Sequence, residues 1–426
     1  MSKFQLILIL FFGLAIGVAL VIMAISKGGS SASVGNVVIW GTEDQGTFDA
    51  FVKSVYEKDE TVSVTYVQKS RSAFDQSLIT AIADGVAPDA ILLPESSILK
   101  YQDRIYQIPF ANYPLRQFKD TFIQGAEIFL GQTGVIALPL SVDPLVMYWN
   151  RDIFANAGIA LPPKYWDETL LLPKVLTKKN QNGTLNQSAL ALGEYFNIEN
   201  SKNILSGLFM QLGNPLVYKS GQGQFASSLP ENPSVVSALR FYTDFSNPTS
   251  PLYSWNRSMS NDKNSFVGGK LAIYFGKASE LRNIRDKNPN LNFDVSYFPQ
   301  LRDSDVRIVP ASLEGLAVMK NSRNLAGALA VAVKLSNADS AKKWSDISLL
   351  PPLRRDLLAS KPSDSFLSIF YDSALWAKGW LDPNQNSTSA IYSDLVENVT
   401  TGGKNYQDAL KEAGDKISNL LMGVSQ

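Results

Sequence analysis

The chain has 426 residues, 45% of them hydrophobic and 18% charged, a globular composition too long for one compact core and suited to two domains. Lys plus Arg and Asp plus Glu each number 39, so no net field draws nucleic acid, and no basic stripe with interleaved aromatics stands out. Cysteine and histidine are both absent, which removes disulfides, a thiolate nucleophile, cysteine-borne lipid, the Ser-His pair and the commonest zinc ligand, and leaves any catalysis to carboxylates, Lys or Tyr.

Residues Phe4 to Ile25 form an apolar run with Gln5 as its one strongly polar side chain. At about 1.5 Å per residue it is long enough to cross a hydrocarbon core of about 30 Å. A cleaved secretory signal has a shorter apolar core, roughly 7 to 15 residues. An uncleaved anchor is therefore expected, although Ser30-Ser31-Ala32-Ser33 also fits a small-residue cleavage site. Lys3 and Lys27 flank the run evenly and set no orientation. Ser26 to Gly35 reads as a flexible linker to a domain outside the cytoplasmic membrane.

Val37 to Trp40 is an apolar, β-branched run that predicts a buried parallel strand, and Phe48, Phe51, Val52, Val55 and Tyr56 follow at helical spacing. Val62 to Val67 gives a second strand. Phe74, Leu78 and Ile82 repeat on a second helix closed by Gly85, and Asp89 to Leu93 gives a third strand. Such alternation predicts a parallel sheet wrapped by helices. Ligands of open sheets sit outside the carboxyl ends of the strands, where the loops carry Trp40, Glu43 and Asp44, then Ser70 and Arg71, then Glu95 and Ser96. These are the first binding candidates. Each can equally be a solvated loop charge or, for Trp40, core.

Val135 to Leu140 and Leu145 to Trp149 are apolar runs on either side of Ser141-Val142-Asp143-Pro144. Pro139 and Pro144 lack amide donors, so two strands with a break between the prolines are expected, followed by a short helix capped from Asn150 and ended by Gly158. Residues 184–192 and 195–203 are rich in Asn, Ser and Gln and read as irregular. Helices are expected over Asn203 to Leu212 and Val235 to Phe245, the latter with Val235, Leu239, Tyr242 and Phe245 on its apolar face. Gly268-Gly269 is a turn into a strand ending at Phe275 and Gly276. Trp255, Phe275, Trp376 and Trp380 are the aromatics with the size to cover a ligand face, against the commoner alternative that each is core. Asp303-Ser304-Asp305 reads as a solvated turn rather than a cation site, and there is no P-loop or internal repeat.

Four passages stand in a family-like order. A-L-P-L-S-V-D with Y-W-N-R-D-I-F and P-P-K-Y-W-D-E at 137–168, F-V-G-G-K-L-A-I at 266–273, E-G-L-A-V-M-K-N-S-R-N at 314–324 and L-P-P-L-R-R-D at 350–356 resemble extracellular solute-binding proteins of ABC importers, family 1, the sugar-binding, maltose-binding-protein-like group. The resemblance covers roughly Val37 to Leu421. It implies an α/β, two-lobe periplasmic-binding-protein-like fold of type II with the ligand cleft between lobes. The N-terminal 1–35 would be anchor or signal helix and linker; 36–142 with 311–361 the first lobe; and 143–310 with 362–426 the second. Crossings would fall near Asp143, Pro310 and Lys361. Asp143 holds the position whose acid faces the cleft in that family, and Phe275 and Gly276 would line it. Glu314 stands among residues that replace the family's glycines, Ala311 to Glu314.

The function so implied is capture of a sugar or oligosaccharide by hinge closure and delivery to an ABC permease and its ATPase. The protein would be a monomer on the outer face of the cytoplasmic membrane, attached through residues 4–25 or secreted, with no cofactor, metal or catalytic residue. Two other classes share these features: a membrane-anchored sensor or adhesion domain, and a glycosidase using two carboxyl groups about 5 to 9 Å apart. Turnover of labelled oligosaccharide separates the last from simple binding.

Overall fold

Strand-forming β-branched and aromatic residues open the fold, and the elements they build are described over residues 35–57, 62–213, 215–219, 221, 224–229, 233–304 and 306–424 of a computed structural model. The apolar run at 4–25 lies outside the described residues. Among those described, no helix is long and apolar enough to cross a membrane.

The chain divides into two compact units. The first takes the chain as far as Pro94, then Tyr101–Ser141 and Glu314–Leu357, and the second takes Glu95–Lys100, Val142–Leu313 and Leu358 onward. The strands Leu138–Asn150 and Val309–Val318 each begin in one unit and end in the other.

In the first unit Gly35–Gly41 lies parallel between Val62–Gln68 and Ala90–Pro94. The chain then returns antiparallel, pairing Glu314 with Pro94 and Val318 with Ala90. Helix Gln45–Tyr56 begins where Asp44 accepts the Thr47 N–H at 2.9 Å, and it buries Phe48 and Phe51. Phe48 stacks on Tyr66 at 4.3 Å and meets Trp344 at 5.5 Å, edge to face. Such ring pairs add about 0.5–1.5 kcal/mol each beyond area burial. Helix Phe74–Ala83 buries Phe74, Leu78 and Ala81. Ala81 rather than Ile82 completes that face, because the third contact falls at i+3 from Leu78 rather than i+4.

In the second unit Leu145–Trp149 pairs antiparallel with Leu271–Lys277 and, one edge over, with Phe293–Ser296. Leu185–Leu190 runs parallel to the Leu271–Lys277 strand. Helices Ser201–Met210, Pro233–Asp244, Gln385–Thr400 and Tyr406–Val424 belong to the same unit. Val235, Leu239, Tyr242 and Phe245 are all fully or nearly fully buried.

Three sequence expectations need correction. Leu138–Asn150 is one unbroken strand of 13 residues. Pro139 is its second residue, and Pro144 precedes the first pair of the Leu271–Lys277 ladder, Leu145 with Lys277, so that ladder does not require its missing amide while its fixed φ suits extended chain. The stretch 184–192 holds the strand Leu185–Leu190, whose Ser188 side chain is buried because its hydroxyl donates to the Ser254 carbonyl. The next helix starts two residues earlier than expected, at Ser201. Asn150 caps the helix Arg151–Asn156 by accepting the Ile153 N–H at 3.0 Å, and Gly158 follows with φ +73°.

Candidate functional site

The second unit contains a cavity of about 520 Å³. Its walls come from the loop before helix Ser201–Met210 and that helix's first turn, the end of the Leu271–Lys277 strand, Glu95, Ser96 and Ser312, the 380–382 turn, and the first turns of helix Gln385–Thr400. Helix amino termini and strand ends converge there, which places backbone donors and short polar side chains around one space.

A buried network forms one side. Lys202 Nζ donates to Asp382 Oδ2 at 2.6 Å and to Thr388 Oγ1 at 2.6 Å. The Thr388 hydroxyl in turn lies 2.9 Å from Asp382 Oδ1, and the Asn384 N–H donates to the same oxygen at 3.0 Å. Burial pushes the Lys202 ammonium below the usual lysine range although Asp382 pulls it back. The ammonium also sits 5.4 Å from the Trp380 ring centroid, within cation–π reach.

A second network lies behind Glu199 and Asn200. Asn200 Nδ2 donates to the Phe275 carbonyl at 3.2 Å and to Glu280 Oε1 at 3.1 Å. Lys263 bridges Glu199 at 3.0 Å and Glu280 at 2.9 Å. Burial raises the Glu280 carboxyl, but hydrogen bonds from the Tyr274 hydroxyl and the Lys277 N–H, with Lys263, hold it below the ordinary range.

Glu95 opens the third side. It is 8% exposed, and its Oε2 accepts the Leu313 N–H at 2.8 Å. Burial pushes its carboxyl up to about 7 against the Leu313 hydrogen bond and the charge of Lys277. Gly379 packs directly on it: a Cβ there would stand 2.7 Å from Glu95 Cγ and 2.9 Å from Leu313 Cδ1. Gly379→Ala is therefore expected to lower stability by about 1–3 kcal/mol through overpacking and to shift Glu95. A calorimetric melting midpoint unchanged from wild type overturns that expectation.

Of the residues singled out in the sequence, Glu95, Ser96 and Trp380 line this cavity. Trp40, Glu43, Asp44, Arg71 and Glu314 belong to the first unit. There Lys69 Nζ lies 3.9 Å over the Trp40 ring, the Tyr66 hydroxyl donates to the Glu43 carbonyl at 3.0 Å, and Asp44 caps its helix with a carboxyl held low by the Thr47 backbone and side-chain hydrogen bonds. Arg71 is exposed and Glu314 half-buried, on the strand that pairs with Ala90–Pro94. Asp143 is half-buried, and its carboxylate accepts the Ser279 N–H at 2.9 Å and the Ser279 hydroxyl at 2.7 Å, so it caps the 278–280 turn.

The cavity-lining expectation gives way to core packing at three positions. Trp255 is fully buried, its indole N–H donating to Asn197 Oδ1 at 3.0 Å. Phe275 is 2% exposed between Trp166 and Phe298, ring centroids 5.5 and 5.6 Å away. Gly276 is closed off by the rings of Tyr274 and Tyr148, 2.4 and 3.0 Å from where a Cβ would stand. At Phe275 the strand pleat turns the ring into the hydrophobic layer, whereas Trp255 lies outside the strands and is held by its indole hydrogen bond. Trp376 packs against Tyr297 at 5.7 Å with Arg307 over its face at 4.9 Å, away from the cavity lining.

Sequence reasoning missed Asn200, Lys202, Lys277, Asp382 and Phe196. Phe196 lines the cavity while 92% exposed, an unusual position for a phenylalanine. The available signal was the Tyr195-Phe196 pair inside an Asn- and Ser-rich stretch just before a helix.

Residues 40–342 match the model of the bacterial extracellular solute-binding protein family, and the chain belongs to that family. A curated binding protein of Brucella abortus strain 2308 is 21% identical over 96% of this chain and 98% of its own length. Among solved structures, an ABC substrate-binding protein from Listeria monocytogenes in complex with cycloalternan is 17% identical over 91% of this chain and 99% of that one, with a TM-score of 0.70. The cyclic alpha-maltosyl-1,6-maltose binding protein from Arthrobacter globiformis is 17% identical over 91% and 99%, with a TM-score of 0.74. The sugar-binding protein MalE from Xanthomonas citri is 18% identical over 91% and 98%, at 0.73. These likenesses show the fold, the two-lobe α/β fold of periplasmic binding proteins.

Proposed function

We propose that this chain is the extracytoplasmic, carbohydrate-capturing component of an ABC importer. The observation that carries the reading is the make-up of the cavity: carboxylates, amides and ammonium groups around two accessible aromatic side chains, Trp380 and Phe196. Sugar hydroxyls pair with charged acceptors and donors, and the C–H faces of a pyranose lie against aromatic rings. A volume of about 520 Å³ lies within the range of small-ligand sites. The carbohydrates named for the structural neighbours support the same class. In this reading the ligand passes unchanged to a permease driven by a separate ATPase, since the sequence carries no P-loop. Residues 4–25 hold the protein at the outer face of the cytoplasmic membrane. Within the second unit Glu95, Ser96 and Trp380 remain the binding residues proposed from the sequence, with Asp143 as the cap that sets the neighbouring turn.

A thermal-shift screen against mono-, di- and oligosaccharides tests the reading, because a ligand bound only by the native state raises the midpoint by mass action. At least one sugar should do so, and a panel with no shift overturns it. Phe196→Ala should weaken the sugar found by about tenfold or more, since covering an exposed phenyl ring contributes about 1.5–3 kcal/mol. The melting midpoint without ligand should stay put, because the ring is 92% exposed. Unchanged affinity in titration calorimetry removes Phe196 from the site.

A further inference from the structure

Two opposite charges line the cavity without touching. Glu95 receives one hydrogen bond from elsewhere in the chain among the described residues, the Leu313 N–H on Oε2. Lys277 Nζ donates to Ser312 Oγ at 2.8 Å, its one side-chain partner among the described residues, which leaves its other N–H donors open. No ion pair within 4.0 Å joins the two, although they attract each other. The remaining charges on the lining are matched: Lys202 holds Asp382, and Lys263 holds Glu199.

We propose that Glu95 and Lys277 together read a vicinal diol of the ligand, one hydroxyl donating to the Glu95 carboxylate and its neighbour accepting from the Lys277 ammonium. This rests on the carbohydrate reading above and narrows it to sugars whose bound ring keeps two adjacent free hydroxyls. A hydroxyl is both donor and acceptor, so a neutral diol satisfies both charges at once. A ligand carboxylate in the same place meets Glu95, and a ligand amine meets Lys277. A small zwitterion satisfies both charges but leaves most of the cavity and the Trp380 face uncovered. A ligand lacking either hydroxyl leaves the buried Glu95 carboxylate or the half-buried Lys277 ammonium with its one protein partner only and water excluded by the ligand, the kind of loss that gives hydrogen-bonding sites their discrimination.

Proton linkage gives a readout that a structural role does not move. The groups acting on the Glu95 carboxyl are the Leu313 amide, Lys277 and Asp382, and Glu95 in turn acts on Lys202 from the adjoining helix. With the carboxyl lying near neutrality, diol binding to its ionised form releases protons.

The test is titration calorimetry of the full chain with hexoses, their disaccharides and the monodeoxy derivative at each ring position of those that bind. Removing either of two adjacent hydroxyls should weaken binding about tenfold or more, and removing the others should change it little. Lys277→Met should erase the penalty at one of the pair and Glu95→Gln should reduce it at the other. Affinity should rise from pH 6 to pH 8 in wild type and stay level in Glu95→Gln. The deoxy series on the wild-type protein stands whether or not the variants fold. A sugar that binds with no adjacent pair of sensitive hydroxyls, or unchanged discrimination in a folded Lys277→Met, overturns the diol inference and leaves the carbohydrate reading in place. A panel in which no sugar binds overturns both.

Discussion

Lys202→Met should lower the stability of the second unit by about 3–5 kcal/mol, the usual cost of stranding one partner of a buried ion pair. The Asp382 side chain is 3% exposed and that of Lys202 14%, so little water is available to replace the lost ammonium. Asp382 keeps two hydrogen bonds, from Thr388 and the Asn384 amide, but neither neutralises its charge. The double variant Lys202→Met/Asp382→Asn should recover more than half of the loss, because the amide keeps an acceptor for Asn384 and Thr388 and no charge is left uncompensated. Chemical denaturation of wild type, single and double variants reads both numbers. A loss under about 1 kcal/mol in the single variant means that solvent reaches Asp382 as it does a surface pair.

The first unit shows how far periodicity reaches. Val37 to Trp40, Val62 to Val67 and Asp89 to Leu93 are runs of apolar or alternating side chains, and each lies within or one residue beside a strand of the sheet. Periodicity failed where a tertiary partner decides. Leu138–Asn150 stays extended through two prolines into its ladder with Leu271–Lys277, which begins at Leu145, and Ser254 gives buried Ser188 a partner, making a strand of a polar stretch. Neither partner is within 60 residues of the segment it stabilises in the chain, so no local window contains the information.

The excursion of Glu95–Lys100 into the second unit was hidden for the same reason, since Glu95 is drawn there by an amide at Leu313, 218 residues away. Glu95 and Trp380 could be picked out as an acid at a strand end and a large aromatic. Lys202, Asp382 and Asn200 could not, because a lysine, an aspartate and an asparagine in polar sequence look like solvated surface until a fold buries them. Trp255 and Phe275 failed in the opposite direction: large aromatics suit a ligand face and a core equally, and only the fold decides, through the strand pleat at Phe275 and the Asn197 hydrogen bond at Trp255.

Between pH 5 and pH 8 the protein should lose stability as pH rises, against the common pattern for carboxylates in folded proteins. Glu95 and Asp262 are both buried, 8% and 1% exposed, and burial pushes each carboxyl up to about 7. Asp262 keeps hydrogen bonds from the Glu199 and Lys263 amides, at 3.1 and 2.8 Å, but also faces the charges of Glu199 and Glu280. A carboxyl whose folded value lies above its unfolded one holds its proton longer in the native state. The stability it contributes is complete below the unfolded value near 4 and is lost as pH rises through about 7, by roughly 3–4 kcal/mol for each group at about 1.4 kcal/mol per pH unit. Asp143 and Asp244, also raised by burial, act in the same sense. The groups held low, Glu280, Glu168, Asp44, Asp167 and Asp356, lose their contribution only as pH falls through their folded values, below the window, and cannot mask the trend. Denaturant midpoints across pH 5 to 8 should therefore fall in wild type, with a shallower slope in Glu95→Gln and in Asp262→Asn and the shallowest in the double variant. A midpoint that stays level or rises over this range, or a slope that both variants leave untouched, means that the two carboxyls are ionised in the native state and that the burial seen around them does not hold their protons.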